Sequence, residues 1–459
     1  MSSERKTLPA STILARLSAG CFFAFLFVAP ARAAEPERQI NGVADTPSRW
    51  QWSFALRNRT GFRLHEPRVL QMSRTILDGR GIYKFGDNWR FKMELRAHYD
   101  PVHRLGYSEK PSLNPREFQL EGKVGPAQLS IGLQQVVWGQ ADGFRVLDVV
   151  NPLDYREFIL EDFLDSRRPL WMARTDLPLA GGSLQIIWIP YFAPSPRGGD
   201  SDDFGIGLSA VRTFARTLGQ DLPRDFVLIA RPTQRPGYRF NSSQAGARYR
   251  RTVGRWDLTA NYFFGWEGLP VPYVRSIIGL PIFLTPRVTL APRHDRKEIL
   301  GASAATAAGP VVFRLEAGWN PRKPTGVQSS ESRTQFRNFG LFSGVAGLDY
   351  SPKPWLWLSG QYFLEFSAAP QRVLRLQRYS HSGSLYVRSS FRRDTLRPEL
   401  FVWAGLQQRQ YLIRPRLTQV LGSHWSISLG ADYLGGGTLH LWGIFHSRER
   451  LVLEMKWLK

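Results

Sequence analysis

The sequence predicts an all-β protein, an antiparallel transmembrane β-barrel of about sixteen strands, within a range of about 14–18. Three observations predict it. The stretch Trp89-Arg90-Phe91-Lys92-Met93-Glu94-Leu95-Arg96-Ala97-His98-Tyr99-Asp100 has apolar or aromatic residues at odd positions and charged residues or an imidazole at even ones. Side chains of a β-strand alternate with a period of two, so this strand has one greasy face and one strongly charged face. Similar segments recur down the chain at the spacing of an antiparallel barrel, and the N-terminus has the build of a secretory leader. In a secreted sandwich the greasy face would point to a core. In an outer-membrane barrel it meets lipid, and the charged face lines an enclosed polar lumen.

The leader comes first. Arg5, Lys6 and Arg16 form a basic start, Cys21-Phe22-Phe23-Ala24-Phe25-Leu26-Phe27-Val28 an apolar core, and Ala31-Arg32-Ala33 a small-x-small cleavage site. Residues 1–33 are therefore expected to be a signal peptide, and 34–459 a single outer-membrane barrel domain. The apolar core is shorter than the ~20 residues a helical membrane anchor needs. A lipoprotein cleavage before Cys21 is disfavoured, because Arg16 interrupts the stretch that would have to be apolar.

Composition removes several classes. Cys21 is the only cysteine, so a chain cut after the leader has no disulfide and no thiolate metal site. The histidines (65, 98, 103, 294, 381, 424, 440 and 446) are scattered without a zinc-binding helix pattern, so no metal or cofactor is expected. Beyond the leader, no charge-free segment reaches the length of a membrane helix. The net charge of +23 would usually suggest nucleic acid, but a secreted chain argues against that partner. The expected partners are outer-membrane lipids, the phosphates of lipopolysaccharide, the barrel-insertion machinery and an unidentified small solute within the lumen.

Taken in order, Trp50 to Arg57 alternates as a first strand whose tryptophans suit a membrane-interface girdle. A second strand is expected near Val69 to Leu77, turned by Asp78-Gly79, followed by Trp89 to Asp100. Arg116 to Val124, the turn Gly125-Pro126, and an alternating stretch around Leu129 to Leu133 follow. From Val137 to about Arg168 the period of two is lost, and Phe158, Leu160, Phe163 and Leu164 suggest a helical turn or two. That segment is too apolar for a solvent loop and too irregular for lipid. It is expected to fold into the barrel as a constriction or hatch, because irregular backbone at membrane depth must be buried in protein or line a cavity.

A hairpin over Ala180-Gly181-Gly182 comes next, then a polar loop at Ser195 to Asp203 and a helix expected at Phe204 to Leu218. Long external loops are expected at Asp221 to Asn241 and Glu267 to Arg296. Strands are expected at Gly246 to Val253, Trp256 to Phe264, Lys297 to Ala308, Val311 to Trp319, Phe342 to Tyr350 and Leu356 to Phe366. Ser384 to Phe391, Glu399 to Gln407, Tyr411 to Val420, Trp425 to Tyr433, Thr438 to Phe445 and Leu451 to Leu458 complete the series. The last ends on Leu458-Lys459 after Trp457, a departure from the terminal aromatic that the insertion machinery usually reads.

The box Gln135-Val136-Val137-Trp138-Gly139-Gln140, with Asp148-Val149-Val150-Asn151-Pro152-Leu153-Asp154 after it, resembles a Gram-negative outer-membrane barrel family of unknown function. That family is similar in style to alginate-export and porin-like barrels. Arg314-Leu315-Glu316-Ala317 after Ala308-Gly309-Pro310, Gly347-Leu348-Asp349-Tyr350 and Gln361-Tyr362-Phe363 are further echoes. The resemblance implies a single-chain barrel concerned with substrate passage. It supplies no solute and no catalytic residues.

Candidate lumen residues are Arg90, Lys92, Glu94, Arg96 and His98, with Arg314, Glu316, Gln361, Glu365, Arg414 and Arg416. They read either as a cationic ladder guiding an anionic solute or as a self-neutralised wall with Asp100, Glu117 and Glu121 as partners. Candidate hatch residues are Trp138, Asn151, Pro152, Asp154, Phe158 and Phe163. Asn151 and Asp154 would satisfy turn amides, and Pro152 would fix the bend. Phe158, Ile159 and Phe163 would pack the hatch on the wall or meet a hydrophobic solute. The expected function is an outer-membrane channel for a solute, slightly favoured anionic, with export of a hydrophobic or amphipathic molecule as the alternative. Catalysis is not expected. No Gly-x-Ser-x-Gly box is present, and His98 beside Asp100 and His440 near His446 are the only hints of one.

Overall fold

The structure, a computed structural model, describes residues 27–29, 49–108, 110–141, 143–199, 201–205, 227–278, 287–327, 336–374, 377–407, 409–437 and 441–459. The expected leader lies outside these residues except for Phe27–Ala29, a short strand paired with Gly143–Phe144. Most of the helix expected at Phe204 to Leu218 also lies outside them, as does His440.

Eighteen antiparallel strands close into one barrel. They are β1 (Trp50–Arg63), β2 (Leu70–Phe85), β3 (Trp89–Tyr99), β4 (Ser112–Val124), β5 (Ala127–Gln134) and β6 (Leu170–Leu179). Next come β7 (Gly182–Ile189), β8 (Gln244–Val253), β9 (Trp256–Trp266), β10 (Arg296–Ala308), β11 (Val311–Gly326) and β12 (Phe336–Lys353). The last are β13 (Leu356–Ser367), β14 (Tyr379–Ser389), β15 (Leu396–Gly405), β16 (Gln410–Leu421), β17 (Trp425–Gly435) and β18 (Arg450–Leu458). Each pairs with its neighbours in sequence, and β1 pairs with β18 from Ala55↔Leu458 to Arg63↔Arg450. Closure leaves no unpaired strand edge. Turns of a few residues join the strands at one end, as at Gly125-Pro126 and Gly309-Pro310, and the long connections gather at the other.

The barrel is inside out relative to a water-soluble protein. In β1, Trp50, Trp52, Phe54, Leu56 and Phe62 are exposed, while Arg57, Arg59 and Arg63 are buried. In β18, Leu451, Leu453 and Met455 are exposed, while Arg450 and Glu454 are buried. Exposed aromatics form two belts. Trp50, Trp256, Trp355 and Trp425 lie near the short-turn end, and Tyr99, Trp171, Trp188, Tyr262, Tyr362 and Tyr379 toward the long-loop end. An apolar outer band between aromatic girdles is the surface that lipid solvates. No helix among the described residues is long and apolar enough to cross a membrane.

Two sequence expectations are corrected. Asp78-Gly79 is no turn, because β2 runs through it to Phe85. Asp78 faces inward, where Arg96 pairs with it, and outward-facing Gly79 and Gly81 make room for the rings of Phe54 and Trp52. The described part of the strand expected at Thr438 to Phe445 is no strand, and Thr438 to His440 lie outside the described residues. Leu441–Ile444 is a single helical turn, and Trp442 and Phe445 are buried in the lumen. In the polar loop Ser195 to Asp203, Asp203 is buried against Arg63 of β1.

Outside the barrel, Val227–Ala230, Arg287–Arg293 and Val271–Ile278 form a three-stranded sheet that joins the loop before β8 to the loop before β10.

Candidate functional site

The segment between β5 and β6 crosses the lumen and touches strands on opposite sides of the wall. Asn151 clamps its two ends. Its Oδ1 accepts from the Val136 amide at 2.8 Å, and its Nδ2 donates to the carbonyls of Arg168 at 2.8 Å and Gln134 at 3.4 Å. One side chain thereby holds the place where the chain leaves the wall and the place where it returns. Beside it, Asp148 joins Arg145 at 3.0 Å to Arg167 at 2.6 Å. The Asp154 amide donates to the Ser166 carbonyl at 2.6 Å, and the Asp154 carboxylate pairs with Arg156. Pro152 contributes its carbonyl, which accepts from the Arg168 amide at 2.8 Å.

The wall grips the hatch by backbone as well. The Glu316 carboxylate on β11 accepts from the amides of Gln140 and Leu147. Arg314 donates to the Gln140 carbonyl and to Asp349, both at 2.6 Å. Lys297 donates to the Val149 carbonyl, and the Trp138 indole to Gln185 of β7, both at 2.8 Å. Across the lumen, Arg116 of β4 donates to the Leu164, Asp165 and Arg167 carbonyls. These carbonyls lie in or just beyond the single helical turn α1 (Phe163–Ser166), so a cation meets its C-terminal end. Arg414 of β16 donates to the Leu160 carbonyl at 3.0 Å.

The largest charge cluster was not legible as a site in the sequence. Hatch residues Glu157, Glu161, Asp162 and Asp165 face arginines of β1, β2, β3, β16 and β18. Arg74 lies 2.7 Å from Glu157 and 2.6 Å from Glu161. Arg59 is 2.6 Å from Glu161, Arg57 is 2.6 Å and Arg96 2.7 Å from Asp165, and Arg450 is 2.9 Å from Glu157. Arg416 reaches toward Asp162 at 3.9 Å. Burial pushes the Glu157 carboxyl up, but the guanidiniums of Arg74, Arg450 and Arg59 outweigh it and hold the group below the ordinary range. Burial opposes ionisation of Asp165 too, and Arg57 and Arg96 overcome it. Such groups are buried only because they are paired. The signal that was present is the inward parity of Arg57 and Arg59 in β1 together with the acidic spacing of Glu157, Glu161 and Asp165 in the hatch.

The candidate ladder on β3 is therefore largely engaged. Arg90 and Lys92 both pair with Glu121, and Arg96 pairs with Asp78 and Asp165. Glu94 takes Arg80 at 2.8 Å. His98 shares a hydrogen bond of 2.8 Å with Ser112 rather than meeting Asp100, which accepts the amides of Ser73 and Val102. Arg414 pairs with Asp432 at 2.6 Å. Glu365 accepts from Ser343 at 3.2 Å, and Gln361 faces inward one pair below Phe363.

The rest of the hatch is apolar. Phe158, Ile159 and Leu160 pack with inward-facing Phe363, Tyr386, Phe401, Trp403 and Leu412. Trp442 stacks on Trp403 with centroids 4.2 Å apart, and Phe445 meets Phe158 at 4.8 Å. Phe163 lies beneath the Arg145 guanidinium at 3.9 Å. On the other side, a cavity of about 130 Å³ separates the hatch from the wall. It is lined by Val149, Pro152, Leu170, Phe192, Trp266 and Leu341, with Lys297, Lys323, Glu267 and Glu365 among them.

Solved structures share this barrel. Acinetobacter baumannii OccAB4 matches with a TM-score of 0.51 at 9% identity, over 90% of this chain and 98% of its own. OccAB1 of the same organism matches with a TM-score of 0.51 at 6% identity, over 89% and 95%. OccAB2, also of that organism, gives 0.50 at 8% identity, over 89% and 98%. At such identities the likeness is one of fold. No curated protein matches the chain. A family described as a protein of unknown function, DUF1302, matches residues 115–397, which run from β4 through the hatch to β15. The chain belongs to the DUF1302 family.

Proposed function

We propose that this protein is an outer-membrane channel of the porin type, which passes a small solute through a lumen narrowed by an inward-folded hatch. The observation that carries the reading is the reversed polarity of a closed barrel, exposed Trp and Leu outside and buried charge inside, around a segment that crosses its interior. Lipid is the solvent such an exterior fits, and a secretory leader is the route to it. A charged interior crossed by a hatch suits passage better than catalysis, and the His98–Asp100 hint of a catalytic pair dissolves into separate hydrogen bonds.

The solute is slightly favoured anionic. Most lumen arginines are cancelled by carboxylates, so the bias is modest. It rests on cations such as Arg116 and Arg248, which donate to hatch carbonyls rather than to carboxylates. A second reading, an amphipathic solute, is favoured by the cavity behind the hatch, where an apolar floor carries two lysines and two carboxylates. The test is conductance of the refolded barrel in planar bilayers under a salt gradient. A stable conductance with a weakly anion-favouring reversal potential supports the first reading. A barrel that inserts and stays closed to salt, yet releases an amphipathic dye from vesicles, supports the second. A barrel that does neither ends both.

A further inference from the structure

We propose that His65, His446 and Glu449 form a binding site for a divalent transition-metal ion of the zinc type at the long-loop mouth of the barrel. His65 lies in the connection after β1, and His446 and Glu449 lie in the connection before β18. One nitrogen from each imidazole and one carboxylate oxygen lie within 4.8 Å of one another. His65 Nε2 is 2.8 Å from Glu449 Oε2, and His446 Nδ1 is 3.5 Å from Glu449 Oε1.

Two imidazoles and a carboxylate are a donor set that zinc-type ions accept, with a fourth position left to water. Tetrahedral bonds of about 2.0–2.2 Å place donor atoms about 3.4 Å apart. The three groups therefore close by roughly an ångström on binding. The histidines can make that movement, because their side chains are 39% and 55% exposed and sit on loops. Glu449 is the fixed member. It is buried, its carbonyl accepts from the Leu64 amide at 2.8 Å, and its Oε1 accepts from the Leu434 amide at 3.2 Å. The Leu434 carbonyl lies 3.2 Å from that same His446 Nδ1, so the ring gives up this contact if Nδ1 takes the ion.

The electrostatic setting separates this carboxylate from those of the hatch. Glu157, Glu161 and Asp165 are each held by arginines, which no metal displaces at low cost. Among the described residues, the ion-pair partners of Glu449 are the two imidazoles alone. An incoming cation thus meets a buried carboxylate and two imidazole donors, and among the described residues no guanidinium is paired with that carboxylate. Occupancy would tie the first loop to the last. The last loop also carries Trp442 and Phe445 into the lumen, so the ion would fix that side of the mouth.

The experiment is a calorimetric titration of zinc chloride into the whole refolded barrel in detergent micelles, after removal of metals with a chelator. One saturable site per chain is expected. It should weaken about tenfold or more in both His65→Ala and His446→Ala, a loss of the size that outlying changes around metal sites already cause. His424→Ala removes an imidazole from the short-turn end, and its titration should match the wild type. Cobalt(II) should give a ligand-field absorption band that both loop variants lose and calcium does not compete away. Absence of saturable zinc binding by the wild type overturns the proposal, as does wild-type affinity in His446→Ala with an intact heat-modifiable barrel. Because it reads metal binding and not passage, the result is independent of whether the barrel conducts.

Discussion

Arg450 of the last strand donates to Glu157 of the hatch at 2.9 Å, and neither side chain has any exposed surface. The same guanidinium reaches Asp432 at 2.7 Å, while the same carboxylate lies 2.7 Å from Arg74. Removing one partner leaves the others buried without compensation, which costs about 3–5 kcal/mol. Arg450→Met should therefore loosen the hatch, read as faster protease cleavage within residues 137–168 of the folded barrel. Combining it with Glu157→Gln should recover part of that protection. Equal cleavage in wild type and Arg450→Met would show that the pair does not hold the segment.

Acid should act on the same cluster. The Glu157 and Asp165 carboxyls are held below their ordinary range in the folded protein. A depressed carboxyl stabilises the fold above its unfolded pKa, and that contribution fades as pH falls through the folded value. Hatch protection should thus be flat across neutral pH and should decline progressively below about pH 4. Protease accessibility or conductance noise measured down a pH series checks this, and a transition centred near neutrality would contradict it.

Asn151→Ala removes both ends of the clamp at once. It leaves the Val136 amide and the Arg168 carbonyl without that partner, at a cost of about 1–3 kcal/mol for each buried group left unsatisfied. The barrel should still insert and migrate as a folded species. Its single-channel record should show larger and more frequent open-level fluctuations than the wild type.

Selectivity should separate two kinds of arginine. Arg248 bonds to the Val137 carbonyl, so Arg248→Gln should reduce the anion preference with little change in hatch protection. Arg96 holds Asp78 and Asp165, so Arg96→Gln should shift selectivity toward cations and also expose the hatch to protease. Reversal potentials and cleavage rates on the same preparations distinguish them.

The barrel was legible in the sequence because lipid imposes a period of two on every strand. The Trp89 to Tyr99 alternation survives unchanged as β3. The hatch was legible by the loss of that period from Val137. Its partners were not, since Arg450 and Glu157 are 293 residues apart and no local pattern pairs them. His65 and Glu449, 384 residues apart, were hidden for the same reason. Asp78-Gly79 misled because a small residue beside an acid usually marks a turn, and only the packing of Phe54 over Gly79 shows why both belong in a strand. The strand expected at Thr438 to Phe445 misled because Trp442 and Phe445 are buried in the lumen from a helical turn and the residue after it.

The placement of the acidic hatch residues bears on which way cargo can leave. Glu157 and Glu161 reach Arg59 and Arg74 on the first two strands and Arg450 on the last, so they sit across the seam where β1 meets β18. Parting that seam to let a greasy molecule slip sideways into the bilayer would mean breaking several buried ion pairs as well as the strand ladder. The hatch acts there as an internal rivet. A passage of the proposed kind would accordingly run along the barrel axis rather than through the seam.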